Sequence, residues 1–228
     1  MKKTLSLLMA LCMLLGCALT FSACGEKESP AYMVDADLDG DGKSDVGTEP
    51  VTVVISVLHF GEITVELLPE YAPITVCNFL DLVDSKFYDG LTFHRISKGF
   101  MIQGGDPNGN GSGGSDRKIK GEYSANGVYN PLSHTRGTIS MARRGDDMNS
   151  ASSQFFICDA DSDFLDGKYA AFGKVTKGMD VVDKIADVAV TYSADGEMSS
   201  PINTITIESI RRVGDIDKGA SDGSQAQG

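Results

Sequence analysis

Two stretches of this 228-residue chain mix planar polar side chains with large apolar ones. The first is Phe93-His94-Arg95-Ile96-Ser97-Lys98-Gly99-Phe100-Met101-Ile102-Gln103-Gly104-Gly105-Asp106, and the second is Ser152-Ser153-Gln154-Phe155-Phe156-Ile157. Read as strands, their period-two alternation sets Arg95 on the opposite face from His94, Met101 with Gln103, and Gln154 with Phe156. An apolar floor and a guanidinium and amide rim then share one surface. Such a surface suits non-covalent chemistry, because a guanidinium keeps its charge and offers several donors in a rigid fork. The competing reading of the same residues is a surface ion pair above an ordinary core.

Other chemistries fail on spacing. Gly109-Asn110-Gly111-Ser112-Gly113-Gly114 satisfies G-x-G-x-x-G, but a dinucleotide loop opens an apolar-striped helix, and Ser115-Asp116-Arg117-Lys118-Ile119-Lys120 offers none. His59, His94 and His134 stand far apart, without a zinc-ligand spacing. The chain has no G-x-S-x-G elbow, so no local signature of acyl transfer is present. With 20 Lys+Arg against 32 Asp+Glu the net charge is -12, which excludes a general basic footprint for nucleic acid.

The elements that must position the two stretches follow from periodicity. Val51 to Leu58 and Gly61 to Leu68 read as a hairpin. Pro73 opens a helix with Val76, Phe79, Leu80 and Val83 on one side, ending near Tyr88-Asp89-Gly90. Strands are expected at Leu91 to Ile96, Phe100 to Gln103, Gly137 to Ala142, Gln154 to Cys158, Tyr169 to Val175 and Ile202 to Val213. A second helix fits Met179 to Val188. Many short strands with two isolated helices predict an all-β closed barrel capped at its ends, spanning residues 51–213.

Residues 1–23 have the charged start (Lys2, Lys3), apolar middle and small-residue end of an export signal. Phe21-Ser22-Ala23-Cys24 resembles a bacterial lipobox, with Phe21 where Leu is usual, so Cys24 is expected to carry lipid and anchor an exported chain outside a membrane. Leu14-Leu15-Gly16-Cys17 is a rival box, and an ordinary signal would leave Cys24 a free thiol. Residues 24–50 read as an acidic flexible spacer. Within it Asp37, Asp39, Asp41 and Asp45 take loop positions 1, 3, 5 and 9 with Gly42 at 6, a calcium-loop pattern that lacks its bidentate acid at position 12. A weak calcium site, a calcium-dependent surface attachment role and a solvated acidic turn all fit that loop. Cys77 and Cys158 sit among apolar neighbours and read as buried free thiols, with a disulfide as the alternative. Residues 214–228 are too polar to bury a face and read as a disordered tail.

The two stretches, together with Gly137-Thr138-Ile139-Ser140-Met141-Ala142, Asn149-Ser150-Ala151-Ser152, Phe164-Leu165-Asp166-Gly167-Lys168 and Phe172-Gly173-Lys174-Val175, resemble the cyclophilin family of peptidyl-prolyl cis-trans isomerases from about Val51 to Val213. The resemblance implies a closed eight-stranded antiparallel barrel with two capping helices and a proline-binding groove on its outer face. It implies Arg95 as the catalytic arginine and Phe100, Met101, Phe156 and Leu165 as the proline pocket. Gln103 and Gln154 would form the rim, Ala142 and Arg143 the backbone-binding strand, and Gly111 the flanking loop. No cofactor is required, proline-containing polypeptides are the partners, and the domain is expected to be monomeric. The alternative is a module that binds prolyl segments with little turnover. Three positions depart from many eukaryotic members: Phe164 stands for Trp, Tyr169 for His and Arg143 for Asn. The pocket stays aromatic, while loss of the indole N–H is expected to weaken binding of the family's cyclic peptide inhibitor.

Overall fold

The computed structural model describes residues 32–214, so the expected signal, Cys24 and nearly all of the expected tail lie outside the described residues. Within them, β1 (Val51–Val57) and β2 (Gly61–Leu67) form the predicted hairpin. Its alternation is strict: Val53, Ile55 and Val57 pair with Val65, Ile63 and Gly61, and the apolar members all point to one buried face. The next element, α1 (Pro73–Asp84), begins with proline in its first turn, where no N–H is missed. The helix lacks a cap from its own neighbour. Glu122 supplies one from a distance, its carboxylate accepting the N–H groups of Ile74 (3.0 Å) and Thr75 (2.7 Å) and the Thr75 hydroxyl (2.6 Å). The helix stops at Asp84, short of the expected Gly90, because Lys86 turns the chain through a left-handed conformation.

Then come β3 (Thr92–Ser97), β4 (Met101–Asp106), β5 (Thr138–Met141), β6 (Phe155–Cys158), β7 (Ala171–Lys177), α2 (Met179–Ala186), β8 (Val190–Tyr192), β9 (Met198–Pro201) and β10 (Ile207–Arg212). Eight strands make one antiparallel sheet in the order β10-β1-β2-β7-β5-β6-β4-β3. The eight strands form a curled sheet. Among the described residues its edge strands meet at one bridge, Thr92 to Thr206, supported by Phe93 N–H to Ile205 O (2.9 Å) and Ile207 N–H to Leu91 O (2.8 Å), without a continuous ladder. The expected final strand, Ile202 to Val213, begins only at Ile207 as β10, which joins the sheet, while the unexpected β9 before it pairs with β8 in a separate hairpin lying beside β3.

The sheet is covered on both faces. Inside, Phe79, Tyr88, Phe93, Phe155 and Phe172 form an aromatic cluster with centroid spacings of 5.2 to 6.0 Å. Outside, Met101, Phe156, Cys158 and Leu165 form a second, smaller apolar cluster with Phe100, Ala142 and Tyr169 against it. Phe155 therefore serves the core and its neighbour Phe156 the outer surface, as period-two alternation requires.

The acidic stretch expected as a free spacer is partly docked. Met33 bridges Ile119 in parallel, with Met33 N–H to Lys118 O at 2.7 Å and Lys120 N–H to Met33 O at 2.8 Å. Ala36 is buried and its carbonyl accepts the Cys77 thiol at 3.5 Å. Cys77 and Cys158 are both free and buried, and burial pushes their thiols up to about 11 and about 12.

Candidate active site

Strand pairing builds the site from three neighbours. Arg95 on β3 stands opposite Gln103 on β4, and Gln103 stands opposite Phe156 on β6. Met101, two residues before Gln103, shares its face and is fully buried beneath it. The result is a row in which one cation, one amide and one aromatic ring look outward together.

The polar members are linked. Arg95 Nη1 donates to Gln103 Oε1 at 3.2 Å, Gln103 Nε2 donates to Gln154 Oε1 at 2.8 Å, and Gln154 Nε2 donates to the carbonyls of Gly111 (3.0 Å) and Gly113 (2.7 Å). The glycine loop at the end of this chain is shaped from below by Asp106, which accepts the N–H groups of Asn108 (2.8 Å), Asn110 (3.0 Å) and Gly111. At the root of the loop Gly105 has φ +82°, and a Cβ there would lie 2.5 Å from the Ser153 carbonyl, so no other residue fits.

Beside this row lies a cavity of about 270 Å³ with an apolar floor and a polar edge, lined by Arg95, Phe100, Met101, Gln103, Ala142, Arg143, Phe156, Phe164, Leu165 and Tyr169. The residues singled out from sequence for the pocket thus share one cavity. Gln154 and Gly111 line an adjoining cavity of about 360 Å³, which also touches Gln103, Ala142 and Arg143. The three departures from the family pattern all sit at the rim. Phe164 is 58% exposed with its ring 5.5 Å from Phe100. Arg143 lies over the rings of Tyr169 (4.7 Å) and Tyr123 (5.4 Å) and donates to the Lys168 carbonyl at 3.1 Å, so the Arg and Tyr departures stack on each other.

Two residues near the site were not singled out from sequence for this role. Glu197, in the turn just before β9, accepts Arg95 Nε at 2.7 Å and Nη2 at 2.8 Å, and these bonds hold its carboxyl below the usual carboxylate range. No local signal marks it, since Ser193-Ala194-Asp195-Gly196-Glu197 reads as a polar turn. His134 stacks beneath Phe156 at 6.0 Å, bonded through Nδ1 to Asp166 (2.7 Å) and through Nε2 to the Ser140 hydroxyl (3.0 Å). An acceptor-only carboxylate assigns the proton to Nδ1. Burial pulls the His134 pKa down despite the bond to Asp166, and the ring packs directly against Phe156.

Of the four carboxylates in the calcium-like loop, Asp37, Asp39 and Asp45 come within 4.8 Å of one another, while Asp41 turns to Lys43 at 3.2 Å. Both Asp37 oxygens accept backbone N–H groups, from Gly40 (2.7 Å) and Gly42 (2.8 Å).

Residues 52–212 match the family model described as cyclophilin type peptidyl-prolyl cis-trans isomerase/CLD. A peptidyl-prolyl cis-trans isomerase of Acinetobacter baylyi is 42% identical over 168 residues, covering 69% of this chain and 85% of that protein. A Helicobacter pylori protein of the same name is 46% identical over 127 residues, or 55% of this chain and 75% of the relative. A peptidyl-prolyl cis-trans isomerase-like 2 of Gibberella zeae is 41% identical over 153 residues, and there the match spans only 25% of the longer fungal protein. Among solved structures, a Cryptosporidium parvum cyclophilin type peptidyl-prolyl cis-trans isomerase aligns with TM-score 0.65 at 32% identity, over 72% of this chain and 98% of its own. The same protein in the presence of the dipeptide Ala-Pro aligns with TM-score 0.63 at 33% identity, over 71% of this chain and 98% of its own.

Proposed function

The chain belongs to the family of cyclophilin-type peptidyl-prolyl cis-trans isomerases, and we propose that it turns X-Pro bonds in exported polypeptides with Arg95 as the catalytic residue. The observation that carries the reading is the position of Arg95 Nη1 at the lip of the Phe100-Met101-Phe156-Leu165 cavity. A prolyl ring seated there brings its nitrogen beside the guanidinium.

An amide resists rotation by roughly 18–20 kcal/mol because its nitrogen lone pair is delocalised. In the twisted state the lone pair localises, and a donor aimed at it strengthens its hydrogen bond only then, which is the condition for lowering a barrier. The apolar floor fixes the ring while the rest of the peptide rotates. A guanidinium supplies the donor at every physiological pH. Neither covalent intermediate nor cofactor enters this mechanism.

The exported, lipid-anchored setting is supported by the order of charged start, apolar run and Phe21-Ser22-Ala23-Cys24 at the N-terminus. Acylation of Cys24 is tested by the mass of the mature protein and by Cys24→Ala, which is expected to move the chain from the membrane to the soluble fraction.

Activity is tested by following cis-to-trans conversion of a prolyl peptide with the full chain and with Arg95→Ala, alongside peptide binding. Acceleration by wild type and binding without turnover by the variant support Arg95 as the transition-state donor. Binding without acceleration by either protein overturns the enzyme reading and makes the groove a recognition module.

A further inference from the structure

We infer that Glu197 is a positioning residue for Arg95: a carboxylate on the β8–β9 hairpin that fixes the guanidinium so that Nη1 faces the proline cavity. The inference rests on the role of Arg95 proposed above and extends it to an element outside the eight-stranded sheet.

The geometry divides the guanidinium into two edges. Nε and Nη2 are taken by the two oxygens of Glu197, at 2.7 and 2.8 Å, a paired-donor arrangement that sets the plane of the group as well as its place. Nη1 is left for the other side, where it meets Gln103 Oε1 at 3.2 Å and the Met101 sulfur at 3.8 Å, both lining the cavity. Arg95 lies on β3 and Glu197 102 residues later, so only the docking of the hairpin beside β3 brings them together.

The carboxylate is itself held. Ser199 Oγ donates to Glu197 Oε2 at 3.1 Å, and Ser193 N–H donates to the Glu197 carbonyl at 2.8 Å across the turn. Ser199 is buried, which ties this end of the hairpin to the body of the domain.

An ordinary surface ion pair would leave kcat unchanged, and the two readings part there rather than in stability. The two side chains are 31% and 37% exposed, and pairs of that exposure contribute little to stability. Loss of Glu197 should therefore leave the melting temperature nearly unchanged while the arginine regains its rotamers. A catalytic group displaced by an ångström costs up to a hundredfold in rate, so a fall in kcat of roughly ten- to hundredfold is expected.

The experiment measures kcat, peptide Kd and melting temperature for the full chain as wild type, Glu197→Ala, Glu197→Gln and Arg95→Ala, and repeats Glu197→Ala in an Arg95→Lys background. The proposal expects Glu197→Ala to lower kcat with Kd unchanged and Glu197→Gln, which keeps one acceptor oxygen, to fall between it and wild type. It also expects the Glu197 effect to shrink in the Arg95→Lys background, where the paired-donor edge is gone. Wild-type kcat in Glu197→Ala, a loss confined to Kd, or an equal loss in the Arg95→Lys background overturns it. Arg95→Ala separates the two readings: undiminished turnover there refutes the role of Arg95 itself, whereas lost turnover there beside normal turnover in Glu197→Ala refutes only the inference about Glu197.

Discussion

Gln103 faces Arg95 across the β3–β4 ladder and accepts the hydrogen bond from its Nη1 at 3.2 Å, while its own amide nitrogen donates to Gln154 at 2.8 Å. The amide therefore has a fixed orientation, with oxygen toward the cation and nitrogen toward the glycine loop. Replacing Gln103 by Leu keeps the volume and removes both functions. A hydrogen bond to a charged group is worth roughly 1.5–3 kcal/mol, so kcat for a prolyl peptide is expected to fall by about tenfold or more. A variant with wild-type kcat would show that Gln103 does not steer the guanidinium.

Phe164 offers a second test because it sits at the rim rather than in the core. Its ring is 58% exposed and packs against Phe100 at the cavity rim, so exchanging it should not disturb folding. Phe164→Trp is expected to leave turnover within about twofold and to tighten binding of the family's cyclic peptide inhibitor by about fivefold, the value of one neutral hydrogen bond of ~1 kcal/mol. Titration calorimetry of the two proteins decides it, and equal affinities would show that the indole N–H is not what the pocket lacks.

These residues mark where the sequence was readable. The hairpin of β1 and β2 was legible because its alternation is unbroken, and Arg95, Gln103 and Phe156 were legible because the family resemblance marked them, while the register that sets them side by side came only with the strand pairing. The extent of barrel closure was not, since closure depends on how far the sheet curls, and among the described residues the edges meet around the Thr92–Thr206 bridge rather than along a continuous ladder. The β8–β9 hairpin and Glu197 were hidden for a related reason. Three- and four-residue strands carry too little periodicity to detect, and a contact across 102 residues leaves no local mark. The acidic stretch before β1 looked free because its docking depends on single residues, Met33 and Ala36, rather than on a pattern.

Glu122 carries a stability prediction. It is buried, and its carboxylate occupies the N-terminal turn of α1, satisfying two backbone N–H groups and one hydroxyl that no neighbour reaches. Glu122→Ala strands those donors at a cost of about 2 kcal/mol. For a domain of this size that lowers Tm by roughly 4–8 °C. Circular dichroism melting of the variant checks the value, and an unchanged Tm would mean that solvent replaces the carboxylate without loss.

Acid sensitivity follows from two buried histidines. Burial pulls the pKa of both His94 and His134 below the ordinary histidine value, so the folded chain refuses protons that the unfolded chain accepts. The sign is then set: stability is full above the unfolded pKa of about 6.5 and declines as pH falls below it, by up to about 1.4 kcal/mol per pH unit for each group. Glu122 works in the opposite sense, because burial raises its pKa and protonation favours the folded form. The melting temperature is expected to fall between about pH 7 and about pH 5.5, and to fall less steeply in His94→Leu, which removes a buried ring whose nitrogens have no hydrogen-bond partner. A flat profile for wild type would mean that these rings take up protons without unfolding, and an unchanged slope in His94→Leu would assign the whole effect to His134 beneath Phe156.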